Sequence, residues 1–122
     1  MKSKETLALI SNKHRFHGHG SLRYVYQRGS TIRGPMISMK YSQNSRRSAY
    51  RVAVVISRKV SKSAVIRNRI RRRLYETIRR NEALIHKPYD IIITVFSDQL
   101  ASLPADKLEK MIIEQFHRAG II

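Results

Sequence analysis

YRVAVVISRKVSKSAVIRNRIRRRLYETIRRNEALIHKPYDIIITVF, residues 50–96, sets two β-patterned runs around one long helical pattern. In Tyr50 to Ser57, Val52, Val54 and Ile56 alternate with Ala53 and Val55, so the run reads as a strand buried on both faces. Tyr89 to Phe96 is again mostly apolar and β-branched, with Lys87 and Pro88 before it. Between them, from near Ser63 to near Asn81, Ile66, Ile70, Leu74 and Ile78 recur at four-residue steps and form one apolar stripe. Ser61 and Ser63 are the candidate caps. At about 100° per residue, Arg69, Arg72, Arg73, Arg79 and Arg80 fan across the opposite face. Arg67 and Arg71 border the stripe. Strand, helix and strand in this order predict an α+β or α/β fold, with helices covering one main sheet. The general rule would make the crossover right-handed.

Working outward, Ser21 to Arg28 reads as a short helix, with Ser21 as N-cap, Gly29 as stop and Leu22, Val25 and Tyr26 on one face. Residues 1–19 read as irregular. Thr31 to Tyr41 looks extended; Ile32, Met36, Ile37 and Met39 alternate imperfectly and Pro35 marks an edge or a break. Gln43 to Ser48 is a polar, basic loop. Leu103 to His117 forms the last helix, with Ser102 as candidate cap, Pro104 in the first turn and Leu108, Met111, Ile112, Ile113 and Phe116 on its core face. Gly120 ends it. No internal repeat or linker interrupts the chain, and residues 1–122 are expected to form a single domain.

Charge sharpens the functional reading. The chain has 25 Lys and Arg against 8 Asp and Glu, a net of +17. Residues 1–80 hold all but Lys87, Lys107, Lys110 and Arg118 of the bases, and only Glu5 and Glu76 of the acids. The densest stretch is Arg58 to Arg80. Solubility needs far less charge than this, so the expected partner is a polyanion, most often nucleic acid. A membrane surface fits less well, because the basic helix has an ordinary core-facing stripe, and no apolar run approaches the ~20 residues of a membrane span. No cleaved secretory signal is expected from the short apolar run after Met1-Lys2-Ser3-Lys4-Glu5. There is no cysteine, hence no disulfide or thiolate chemistry. His14, His17 and His19 lie close together, but glycine-flanked histidines without a nearby carboxylate are a weak metal signal. A protein-borne metal nuclease needs clustered carboxylates, and the basic region supplies Glu76 alone.

Arg58-Lys59, then Arg67-Asn68-Arg69, then Arg71-Arg72 on one helix resembles the signature of the protein subunit of bacterial ribonuclease P. The resemblance covers about residues 13–118: Arg15-Phe16, Leu22 to Gly29 and the following strand are similar to that family's N-terminal part, and Tyr89-Asp90-Ile91-Ile92-Ile93 to its late strand. There are departures. Arg71 stands where the family often has Lys, Tyr75 where it often has Arg, Leu22 and Tyr26 where it prefers Phe, and Ser97-Asp98 where a basic residue is common.

The resemblance implies one central mixed, mainly four-stranded sheet with three helices, and a left-handed strand–helix–strand crossover. It implies a cytoplasmic RNA-binding subunit whose catalyst is a partner RNA. This subunit would assist Mg²⁺-dependent removal of the 5′ leader from precursor tRNA. It would have no catalytic residue of its own, no protein-held metal and no small-molecule substrate. Arg58, Lys59, Lys62, Arg67, Asn68, Arg69, Arg71 and Arg72 are then the expected contacts to RNA. Leu22, Tyr26, Met36 and Met39 are placed around a leader cleft between the first helix and the sheet, with core packing as the alternative for each. A structural RNA-binding protein, such as a ribosomal component, and a DNA-binding protein are the rival readings.

Overall fold

A computed structural model describes His14, Phe16 and residues 19–122, and in it the two apolar runs become adjacent parallel strands. The elements are α1 (His19–Arg28), β1 (Ser30–Arg33), β2 (Ile37–Gln43), β3 (Arg51–Ile56), α2 (Ala64–Arg80), β4 (Tyr89–Val95) and α3 (Ala105–Arg118). Short 3-10 turns cover Glu82–Leu84 and Asp98–Ala101. The sheet order is β1-β2-β4-β3. β1 and β2 form an antiparallel hairpin, β2 runs antiparallel to β4, and β3 runs parallel to β4 through the α2 crossover. The fold is therefore α+β, with three helices about a four-stranded mixed sheet among the described residues. The irregular reading of residues 1–19, and with it His17, falls outside the described residues, apart from His14, Phe16 and the first helical position, His19.

Strand periodicity sorts the side chains onto two faces. Ile37 and Met39, Val52, Val54 and Ile56, and Ile91, Ile93 and Val95 point to the covered face. There they pack against Ile70, Leu74 and Ile78 of α2 and Leu108, Ile112 and Phe116 of α3. Burying each large aliphatic group stabilises the fold by roughly 1.5–3 kcal/mol. The other face carries Ala53 and Ile92, on which Phe16 and Val25 of α1 form a second, smaller cluster with Leu22 at its edge.

Several boundaries differ from expectation for local reasons. The segment 31–41 is two strands, because Gly34-Pro35 interrupts the ladder and turns the chain back. α1 begins at His19, so Ser21 lies inside the helix and is not its cap. Ser102 does not cap α3: it closes the preceding 3-10 turn, and Pro104 occupies the cap position of α3. Gly29 does stop α1. Its N–H donates to the Val25 carbonyl at 2.7 Å, and a Cβ there would lie 2.5 Å from that carbonyl oxygen and 2.9 Å from that of Tyr41.

Arg73 also departs from its expected place on the solvent face. Its Nη1 donates to the Leu100 carbonyl at 2.6 Å and its Nη2 to the Leu103 carbonyl at 2.5 Å. It thereby ties α2 to the turn that leads into α3. Arg73→Ala leaves both carbonyls without that donor and is expected to cost about 1–3 kcal/mol in urea unfolding, with no change in m-value.

Candidate nucleic-acid interface

The strand-to-helix turn is held by its own short side chains. The Val60 N–H donates to the Ser57 carbonyl at 3.1 Å, and the Ser63 N–H to the Ser61 hydroxyl at 3.2 Å. Ser63 caps α2 by accepting from the Ile66 N–H at 3.2 Å. Arg67 reaches back and donates Nη1–H to the Ser61 carbonyl at 2.8 Å. One guanidinium thus fixes the turn against the helix, and the turn presents Arg58, Lys59 and Lys62 to solvent.

The outer face of α2 divides into committed and uncommitted cations. Arg79 pairs with Glu76 at 2.7 Å and Arg80 with Glu109 at 3.2 Å. Glu76 holds the Arg79 guanidinium in its charged form by hydrogen bond and charge. Arg71 donates to the Asn68 side-chain oxygen at 3.1 Å, which orients both groups. Arg69 and Arg72, one turn apart, are exposed and make no ion pair or side-chain hydrogen bond within the described residues, as do Arg58, Lys59 and Lys62. Val65, 76% exposed, sits among them. The first turn of α2 carries no acid, so its N-terminal dipole adds to the positive field. All eight residues expected to contact RNA therefore lie on the turn and the N-terminal half of α2. Arg67, Asn68 and Arg71 shape that surface, while the other five leave their charge open.

The four residues placed around a cleft are not brought together. Met39 is 1% exposed and belongs to the core beneath α2 and α3; Met36 packs against the same core. For Met39 the cause is strand parity, since a shift of one residue exchanges the faces of a sheet; Met36 lies in the bend before β2. The side facing α1 instead presents Ser38, Lys40 and Ser42 of β2, Thr94 of β4 and Val55 of β3. Lys40 donates Nζ–H to the Tyr26 carbonyl at 2.7 Å, a cation closing the C-terminal turn of α1. Leu22 is half-buried against the sheet, and Tyr26 is exposed beside it. Phe96, one residue past buried Val95, is 54% exposed, and its N–H still bonds the Met36 carbonyl at 2.7 Å. The open face is thus an amphipathic platform of hydroxyls, Val55, Phe96 and Tyr26. Alternation counted from a correct strand start would have found Ser38 and Lys40 from sequence.

At one end of this platform lies a buried ionic floor. Arg51 donates Nε–H and Nη2–H to the two Asp90 oxygens, each at 2.8 Å, and Asn44 donates to Asp90 Oδ2 at 2.9 Å. The Arg51 guanidinium also stacks over Phe16, 4.4 Å from the ring centre. Behind it, His14 lies flat on Tyr50 with ring centres 4.0 Å apart and donates Nδ1–H to the Tyr50 carbonyl at 2.9 Å. The Tyr50 hydroxyl donates to Glu82 at 2.7 Å. Burial, and then the Glu82 hydrogen bond, push the Tyr50 phenol far above its usual range. A phenol whose pKa is raised on folding stabilises the fold at every pH below its unfolded value of about 10 and loses that contribution as pH climbs toward the folded value. Stability is therefore expected to fall above about pH 10, more steeply in the native chain than in Tyr50→Phe, when unfolding is followed against pH.

A family model described as Ribonuclease P matches residues 10–120. The chain belongs to the ribonuclease P protein family. Among the relatives in this family, the "Ribonuclease P protein component" of Pseudanabaena sp. (strain PCC 6903) is 32% identical over 71% of this chain and 75% of its own length. That of Synechococcus sp. (strain RCC307) is 28% identical over 93% and 97%. Two solved structures share the fold. The ribonuclease P protein from Thermotoga maritima gives a TM-score of 0.76 at 20% identity, covering 85% of this chain and 96% of its own. A Staphylococcus aureus ribonuclease P protein mutant gives 0.81 at 16%, covering 100% and 98%. No helix among the described residues is long and apolar enough to cross a membrane.

Proposed function

We propose that this chain is the protein component of a ribonuclease P, and that it works by holding two RNAs on two surfaces. The turn and outer face of α2 hold the catalytic RNA. The platform of α1 and the open sheet face holds the 5′ leader of precursor tRNA, now assigned to Leu22, Tyr26, Ser38, Lys40, Val55, Thr94 and Phe96, with Met36 and Met39 serving the core. One observation carries the reading: Arg58, Lys59, Lys62, Arg69 and Arg72 are exposed on the turn and the N-terminal half of α2, with no carboxylate paired to any of them among the described residues. Neutralising phosphates there releases counterions and strengthens binding at low salt.

The carboxylates near these surfaces are already engaged, Glu76 by Arg79 and Asp90 by Arg51 and Asn44. They offer no open oxygen cage of the kind Mg²⁺ takes, so the ion is assigned to the RNA. The protein then helps by lowering phosphate repulsion where that ion binds. The setting is the cytoplasm, where tRNA precursors are processed. A ribosomal or DNA-binding role is not favoured, given the family. The test is cleavage of precursor tRNA by ribonuclease P RNA with and without the protein across Mg²⁺ concentrations. The protein is expected to lower the Mg²⁺ needed for half-maximal cleavage, and an unchanged requirement, rate and affinity would overturn the proposal.

A further inference from the structure

Beyond the open platform, the structure holds a pocket that we propose takes a single unpaired nucleobase, one splayed out from the leader; this rests on the RNA-binding reading above. The pocket measures about 340 Å³ and lies between the start of α1 and the β2–β3 connection. Its walls are Ser21 and Tyr24 of α1, Ser42, Gln43, Ser45 and Arg46, with Asn44 and Asp90 at its floor.

The floor is rigid and electrically balanced. Asp90 is 5% exposed and is matched by Arg51 on both oxygens. Asn44 is fixed three ways: its side-chain amide donates to Asp90, its side-chain oxygen accepts from the Arg46 N–H at 3.1 Å, and its own N–H donates to the Pro88 carbonyl at 2.7 Å. The loop that forms the pocket is therefore pinned to β4.

The chemistry selects the ligand. Asp90 is already neutralised by Arg51 and accepts from Asn44, so the floor offers no free charge to hold an ion. A neutral, flat, polar group fits. Tyr24, 56% exposed, offers a ring face for stacking. Gln43 and Ser45 side chains make no hydrogen bond within the described residues, so their donors and acceptors are available to a base edge. Arg46, exposed on the wall, and exposed Arg47 next to it are available to the flanking phosphates. The leader is favoured as the source of the base because Ser42 and Asp90 pair across β2 and β4 on the same face as Ser38 and Thr94. The platform leads directly into the pocket, about 20 Å along β4 from Phe96.

The test uses the full chain assembled with ribonuclease P RNA and precursor tRNAs carrying one abasic nucleotide at successive leader positions. With the native protein, one abasic position is expected to weaken substrate binding about tenfold. Tyr24→Ala should weaken the intact substrate by a similar factor and abolish the penalty at that position, while Tyr24→Phe behaves as native. A full abasic penalty retained in Tyr24→Ala, or a flat scan with the native protein, would overturn the pocket. If Tyr24→Ala instead weakens only the catalytic RNA, the assignment to the leader is overturned. An unaltered salt dependence of RNA binding in these variants shows that the α2 surface still operates, which separates failure of the pocket from failure of the broader reading.

Discussion

Asp90→Ala is expected to lower the unfolding free energy by about 3–5 kcal/mol, the largest effect of any single side chain outside the apolar core. Asp90 accepts two hydrogen bonds from Arg51 and one from Asn44. Side-chain exposure at the pair is only 14% for Arg51 and 6% for Asp90. Removing the carboxylate strands a guanidinium beneath Phe16 and frees the 44–47 loop. Pairing the change with Arg51→Met should recover much of the loss, because removing both charges leaves neither uncompensated. Urea denaturation of the two variants measures this directly. A loss below about 1 kcal/mol for Asp90→Ala would mean that the pair is not desolvated as described.

Replacing both Arg69 and Arg72 with alanine is expected to weaken binding of the catalytic RNA on the order of 100-fold at low salt, taking about 1.5 kcal/mol for each charge-assisted contact. The log–log salt slope should fall by about one unit per lost phosphate contact. Stability should stay within about 0.5 kcal/mol, since neither side chain has a partner among the described residues. Arg67→Ala should behave differently. It releases the Ser61 carbonyl and loosens the turn that presents Arg58, Lys59 and Lys62, so both RNA binding and stability decline. Titrations at several salt concentrations, alongside unfolding curves, separate the two kinds of arginine.

These arginines also show what could be read from sequence. The stripe Ile66, Ile70, Leu74 and Ile78 at four-residue steps located α2, and Ser63 and Asn81 do bound it. The β-branched runs located β3 and β4. The cationic surface followed from the same helical wheel. Arg73 was not legible, because nothing local marks a guanidinium that bonds carbonyls 27 and 30 residues away. The cleft side of β2 is illegible for a different reason. Two methionines in an imperfect alternation suggested a face, but parity is fixed by pairing: Met39 opposes Ile93 in the core, and Lys40 opposes Ile92 on the other side. Register is a property of the sheet, and a single strand contains only half of it.

One chain is expected to hold two RNAs on two distinct surfaces. Because the chain has no cysteine, single cysteines can carry a photoreactive group without background. One label replaces Arg72 on α2 and another replaces Ser38 on the open sheet face, each in the assembly with ribonuclease P RNA and precursor tRNA. The label at 72 is expected to cross-link to the catalytic RNA, and the label at 38 to the 5′ leader. Cross-links from both positions to the same RNA, or the reverse pattern, would contradict the two-surface arrangement.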